Sequence, residues 1–336
     1  MWKSLGALVL VAGFVACSSP DERVQSFDFG PYTIEASQES TKNCVQLSLD
    51  NDDPLFVSTV ELTTGPGFHH SNWLFVPESI FEGPDGTFNC NDRGYSEVVA
   101  AAFGGVLFAQ STQLPHEIQA FAPGTAVRLP PRTKLVTQLH LLNASEVALT
   151  AHPNIKITSI PEAHVEIPLT AMSFQNQALA LPVGRQSRFA VECDIAERHR
   201  KELGRDPDFS IYYALAHYHE LGTGLTLDAI RADGSSANIF TTAARVGDSL
   251  GGPITPAFDM SGFSKLRMSC EFYNPRSEVV RWGIGEQEMC VFLAFSDSSY
   301  LWGGGVMQRD APTTETQVGN VMQYTSPCQL ISLPSH

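Results

Sequence analysis

The chain has 336 residues, 21 of them basic and 36 acidic, for a formal net charge of −15 at pH 7. That balance argues against a nucleic-acid partner, whose phosphates would repel it. Hydrophobic residues make up 43% of the chain, enough for globular cores, and no stretch beyond the N-terminus is long and apolar enough to span a bilayer.

Residues 1–16 read as an export signal. Met1-Trp2-Lys3 supplies a positive start, Leu5 to Val15 is a short, mostly apolar run, and small Ala16 precedes Cys17. Phe14-Val15-Ala16-Cys17 resembles a bacterial lipoprotein cleavage box, with Phe14 in place of the usual Leu. Cleavage there would free Cys17 for lipidation and leave a polar tether over 17–27. The protein would then be exported to the periplasm or cell surface, meeting a membrane only through the lipid. Six further cysteines, Cys44, Cys90, Cys193, Cys270, Cys290 and Cys328, are an even number in an exported chain and point to disulfides. No CxxC pair is present, and the sequence alone does not choose among the pairings.

The predicted elements are mostly strands. Val45, Leu47 and Leu49 alternate with polar residues, as do Ile155 and Ile157, and Leu225 and Leu227. Val165, Ile167 and Leu169 alternate too, with Pro168 suggesting an edge position. Turn formers recur at Gly65-Pro66-Gly67, Pro84-Asp85-Gly86, Pro123-Gly124 and Gly251-Gly252-Pro253. Short strands with frequent turns predict an all-β chain of sandwiches or barrels. The best helix is Asp194 to Leu203, a charged surface stretch stopped by Gly204. The length suits two domains, expected over 28–165 and 166–336.

Five of the ten histidines fall in three compact settings: His69-His70, Gln138-Leu139-His140 and His217-Tyr218-His219. On a strand, His217 and His219 would share a face, with Tyr218 turned away. Adjacent His69 and His70 cannot share a regular strand face. They converge only at a bulge or strand end, where His140 could complete a site. Met289 is a further soft donor. Imidazoles suit zinc, copper, iron and nickel, whereas a thioether prefers Cu(I), so two His plus one Met favour copper. Each motif alone is weak, since a lone Met or an HxH pair is usually structural.

Taken in order, His69-His70, Gln138-Leu139-His140, His217-Tyr218-His219-Glu220-Leu221-Gly222 and Glu288-Met289-Cys290 resemble the copper type II, ascorbate-dependent monooxygenases. That family includes the peptidylglycine and dopamine β-hydroxylases, and the resemblance covers roughly residues 40–330. It implies two tandem antiparallel, jelly-roll-like β-sandwich domains with one copper each. His69, His70 and His140 would hold the electron-transfer copper, and His217, His219 and Met289 the oxygen-activating copper, across a solvent-filled cleft. Gln138 would orient a ligand or water. The implied disulfides are Cys44–Cys90, Cys193–Cys328 and Cys270–Cys290.

The implied activity is hydroxylation of a C–H bond of a small-molecule substrate with O2 and ascorbate. Leu215, Val291 and Leu293 stand where the peptide-amidating branch has Arg, Asn and Tyr, so the pocket reads as apolar and glycine-extended peptides as unsuitable. Glu220 and Glu288 read as structural carboxylates, and His116, His152, His164, His199 and His336 as surface or hydrogen-bonding residues. The alternative reading is an extracytoplasmic copper-binding protein without turnover.

Overall fold

The computed structural model describes residues 22–110, 114–246, 248–283 and 285–334. The export signal, Cys17 and His336 lie outside them. The chain is all-β, with two short α-helices and no helix long and apolar enough to cross a membrane among the described residues. The expected tether is shorter than 17–27. Arg23–Asp28 is already a strand, paired with Asn154–Ile160 at the margin of the largest sheet.

That sheet runs through both halves of the molecule. Its order is Arg23–Asp28, Asn154–Ile160, Leu55–Thr63, Thr125–Leu129, Ile167–Asn176, Val291–Ser296, Ser210–His217 and Gly251–Asp259. The halves join where Thr125–Val127 pairs in parallel with Ile167–Leu169. A second layer covers the first half: Gly86–Asn89, Asn43–Ser48, Thr133–Asn143, Phe68–Pro77 and Gly105–Ala109. Another covers the second half: Ser236–Thr242, Gly222–Ile230, Lys265–Tyr273, Gln186–Asp194, Val321–Pro327 and Thr314–Val318. The result is two sandwiches sharing one continuous sheet.

The shared strands are buried on both faces, and their alternation divides two cores. Tyr213, Leu215, Leu293 and Phe295 pack into the first core with Phe121, Leu135 and Leu139. Ala214, Ala216, Phe292 and Ala294 pack into the second with Phe189, Leu225 and Trp302. Successive strand residues point to opposite faces, so each of two four-residue runs, 213–216 and 292–295, serves both cores.

Several sequence expectations are corrected by this packing. Pro168 does occupy an edge position, paired only with the Thr125–Leu129 side, but its strand Ile167–Asn176 is central, because Val291–Ser296 joins from Thr170 onward. Gln46 does not face water. It is buried, donating to the Gly83 carbonyl at 2.8 Å and accepting from Arg93 at 3.0 Å. The helix forms over Ile195–Leu203 with Asp194 as its N-cap and Gly204 in the left-handed region as its C-cap, but it buries Ile195, Ala196 and His199.

All three disulfides implied by the family resemblance are formed: Cys44–Cys90, Cys193–Cys328 and Cys270–Cys290. Three disulfides mark a chain that folds in an oxidising, extracytoplasmic compartment. Cys270–Cys290 ties one layer of the second sandwich to the other, immediately before Val291–Ser296.

Because the cores share strands, the halves should unfold together. Leu215→Ala should cost about 2–4 kcal/mol and should speed amide exchange in Leu55–Thr63 and Lys265–Tyr273 alike. Faster exchange in one half only, followed by mass spectrometry, would contradict the shared-sheet account.

Candidate metal centre

The histidine pair at 69 and 70 converges because the strand carrying it is bulged. Phe68–Pro77 pairs with Thr133–Asn143 so that His70 faces His140 while Phe68 faces Leu141, leaving His69 as the extra residue. A bulge rotates one side chain relative to the regular pleat, which lets both rings turn toward His140. The ring centroids of His69 and His70 lie 4.4 and 4.9 Å from that of His140, and 5.0 Å from each other. Ligand atoms of the three rings fall within 4.8 Å of one another. The Nδ1 atoms of His69 and His70 are 2.7 Å apart.

His217 and His219 meet this group from the second domain. His217 ends the strand Ser210–His217 and lies opposite Val291, in the row that continues Tyr213/Phe295 and Leu215/Leu293. That row faces the first domain, so His217 is aimed at it by strand parity. His219 is not on the strand as expected but in the turn beyond it, closed by Gly222 N–H donating to the His219 carbonyl. The two rings are nevertheless 5.3 Å apart. Tyr218 is turned away and buried, its hydroxyl donating to the Ala244 carbonyl. Its ring rests on Gly222, where any Cβ would come within 2.1 Å. This close approach explains the glycine of the His-x-His-x-x-Gly motif.

The expectation of a solvent-filled cleft between the two sets is not met. His70 lies 5.1 Å from His217 and His69 lies 5.8 Å from His219, centroid to centroid. The common sheet brings the sets together, because the strands that carry them belong to halves that share a core.

Two of the rings keep a buried nitrogen without a protein partner. His219 Nδ1–H donates to the Gln287 carbonyl at 2.8 Å, leaving Nε2 buried without a protein partner. His140 Nε2 bonds Glu39 Oε1 at 2.7 Å, leaving Nδ1 buried without one. Burial, reinforced by neighbouring imidazoles, pushes His69 down to about 3 and His70 well below the usual histidine range. Burial also lowers His219. His69, His70 and His219 are thereby held neutral near pH 7, the form that binds metals.

Met289 is half-buried and adjoins the disulfide-bonded Cys290. Its backbone is tied to that of His219 by one carboxylate. Glu288, 1% exposed, accepts from the backbone N–H groups of His219 at 2.9 Å, Leu221 at 2.7 Å and Met289 at 3.2 Å. Burial raises it to about 7 against the pull of those donors. Glu288 is therefore structural, and exposed Glu220 only approaches Arg276 at 3.6 Å.

Other expectations resolve differently. Gln138 shares the strand and face of His140, but its side-chain amide donates to the Thr41 carbonyl at 2.6 Å. Leu215 and Leu293 do not line a pocket; they are core residues of the first domain, so their apolar character reflects packing. His199 is 1% exposed, bonded to the Arg205 carbonyl and stacked near Trp302. Glu39 was not singled out by sequence reasoning, and no motif marks it.

No family model and no curated protein matches the chain. Solved structures similar to it include the major capsid protein P2 of bacteriophage PM2, at 8% identity and a TM-score of 0.34, covering 82% of this chain and 97% of that one. The PBSX exported protein XepA matches at 10% identity and a TM-score of 0.20, covering 81% and 86%. The Gx strain of infectious bursal disease virus matches at 11% identity and a TM-score of 0.21, covering 82% and 72%. At such TM-scores the likeness carries no argument about the site.

The lowered histidines set a pH dependence. Below about pH 6.5 the unfolded chain takes up protons that the folded metal-free chain refuses. Stability is complete above that value and is lost as pH falls toward the folded values, to about 3 for His69. Each such ring contributes a slope of about 1.4 kcal/mol per pH unit within that window. Urea unfolding of the metal-free protein should therefore give a shallower acid loss in His69→Ala than in wild type. Equal slopes would mean that His69 protonates freely in the folded state.

Proposed function

We propose that the chain is a two-copper monooxygenase that hydroxylates a C–H bond of a small organic substrate, using O2 and ascorbate or a similar one-electron reductant. One observation carries this reading. Three imidazoles from the first domain and two from the second are apposed, and His140 Nδ1 and His219 Nε2 are buried with no protein partner. A buried, unpartnered nitrogen is costly unless something else accepts its lone pair. The donor set suits copper, since neutral imidazoles bind it well and the Met289 thioether favours the reduced ion.

His69, His70 and His140 would hold the first ion, and His217, His219 and Met289 the second. Bound copper would store single electrons at both sites and activate oxygen at the second. The chain's own part is orientation. The Gln287 carbonyl fixes the His219 ring, Glu288 fixes the backbone that carries His219 and Met289, and Cys270–Cys290 anchors the start of the strand beyond. Such outer partners set ligand direction and basicity.

The packing of His70 against His217 supports a second reading, a copper-holding protein without turnover, because a substrate needs room beside the second site. Copper content and turnover separate the readings. After Cu(II) loading and desalting, the chain lacking residues 1–17 should retain about two equivalents, and His217→Ala/His219→Ala about one. One equivalent or none in folded wild type would overturn the two-site reading. Ascorbate- and O2-dependent product formation that disappears in His217→Ala would establish the enzyme; two bound coppers with no product from a broad substrate screen would favour the holding protein.

Anchoring through Cys17 belongs to the same proposal, as the finer form of an extracytoplasmic location. The mature N-terminal peptide should begin at Cys17 and carry the mass of a diacylglyceryl group. An unmodified N-terminus elsewhere would leave the protein secreted and free.

A further inference from the structure

We infer that Glu39 is a positioning residue for the first site, and that its seat against Gly285 makes that site depend on a turn of the second domain. The metal part of this inference rests on the two-site reading above; the side-chain geometry does not.

Glu39 lies in the short strand Gln38–Ser40, opposite Leu142 on the strand that carries His140. Its Oε1 is 2.7 Å from His140 Nε2, and the two side chains are 38% and 4% exposed. A neutral imidazole carries one N–H. If the carboxylate accepts that N–H at Nε2, the lone pair must sit on Nδ1. Nδ1 is the buried nitrogen without a protein partner, on a ring whose centroid lies 4.4 and 4.9 Å from those of His69 and His70. Glu39 thus selects the tautomer that completes the three-histidine group.

The other side of the carboxylate touches the second domain. A Cβ on Gly285 would fall 3.0 and 3.1 Å from the two carboxylate oxygens, and Gly285 has φ +64°. Both the backbone conformation and the approach of Glu39 therefore favour glycine there. Gly285 belongs to the turn closed by Glu288 N–H donating to the Arg281 carbonyl at 2.9 Å and Gly283 N–H donating to the Glu288 carbonyl at 3.1 Å. The same turn supplies the Gln287 carbonyl that fixes the His219 ring and the Glu288 carboxylate that holds its backbone. His140, Glu39, Gly285, Gln287 and His219 form one continuous series across the domain boundary.

An ion pair with no positioning role would leave the His140 tautomer unchanged when removed. The test reads that tautomer by 15N NMR in the metal-free protein and reads first-site copper in the His217→Ala/His219→Ala background. Wild type should show the Nε2–H form. Glu39→Gln should keep it, because the amide oxygen still accepts. Glu39→Ala should give mixed tautomers and weaken first-site copper by about 10–100-fold. Gly285→Ala, although in the other domain, should shift the His140 tautomer and the first-site copper spectrum in the same direction. If that variant does not fold, Gly285→Asn replaces it, since Asn tolerates positive φ and still carries the Cβ. A single Nε2–H tautomer retained in Glu39→Ala, or an unchanged His140 in a folded Gly285 variant, overturns the inference. Tautomer shifts as expected in a protein that binds no copper would sustain the positioning role and overturn the two-copper reading instead.

Discussion

The strands Ser210–His217 and Val291–Ser296 are buried on both faces, and the rest of the molecule is arranged around that fact. Four of their side chains, Tyr213, Leu215, Leu293 and Phe295, complete the first core, although the strands belong to the second domain. Burying each is worth about 1.5–3 kcal/mol relative to exposure. That contribution is lost if the halves part along this row. The strand parity that sends Leu215 into the first core also sends His217, two residues on, toward the first-domain histidines. The meeting of the two histidine sets is thus a by-product of core packing.

Desolvation then makes those histidines usable. In water, an imidazole divides its time between charged and neutral forms near neutrality. Here burial and mutual repulsion disfavour the charged form at His69 and His70. The two histidine sets are oriented by different means. In the first, a side-chain carboxylate on Nε2 of His140 leaves Nδ1 without a protein partner; in the second, a backbone carbonyl on Nδ1 of His219 leaves Nε2 without one. Both supports sit beside the turn that carries Gly285 and Gln287, so the two histidine sets share a scaffold while differing in how they are oriented.

Much of this was legible in the sequence because local rules carried it. The need for a bulge at His69-His70 follows from strand geometry, and the register shift opposite His140 and Leu141 supplies it. The cap and stop of the helix at Ile195–Leu203 are written in Asp194 and Gly204. What stayed hidden depends on non-local packing. Pro168 reads as an edge residue and is one locally, but the sequence does not show that its strand becomes central where Val291–Ser296 joins from Thr170 onward. Leu215 and Leu293 read as substrate-pocket positions when compared with the amidating branch, yet the shared sheet makes them core. Glu39 lies 101 residues from His140, and nothing in a three-residue strand with sequence Gln-Glu-Ser distinguishes it from an exposed carboxylate.

The metal-free fold also carries a cost that its cross-links help to offset. A buried nitrogen without a partner costs about 1–3 kcal/mol, and both His140 Nδ1 and His219 Nε2 are in that state. Burial of several neutral imidazoles close together adds an acid liability. Against these stand two cores and three disulfides, of which Cys193–Cys328 closes a span of 135 residues. Cross-links stabilise by restricting the unfolded chain, typically by about 2–4 kcal/mol each. A chain stabilised this way can hold such unpartnered nitrogens in place, which on the two-copper reading would ready them before any ion arrives. A site that formed only on binding would have to draw the ordering cost from the ion's affinity.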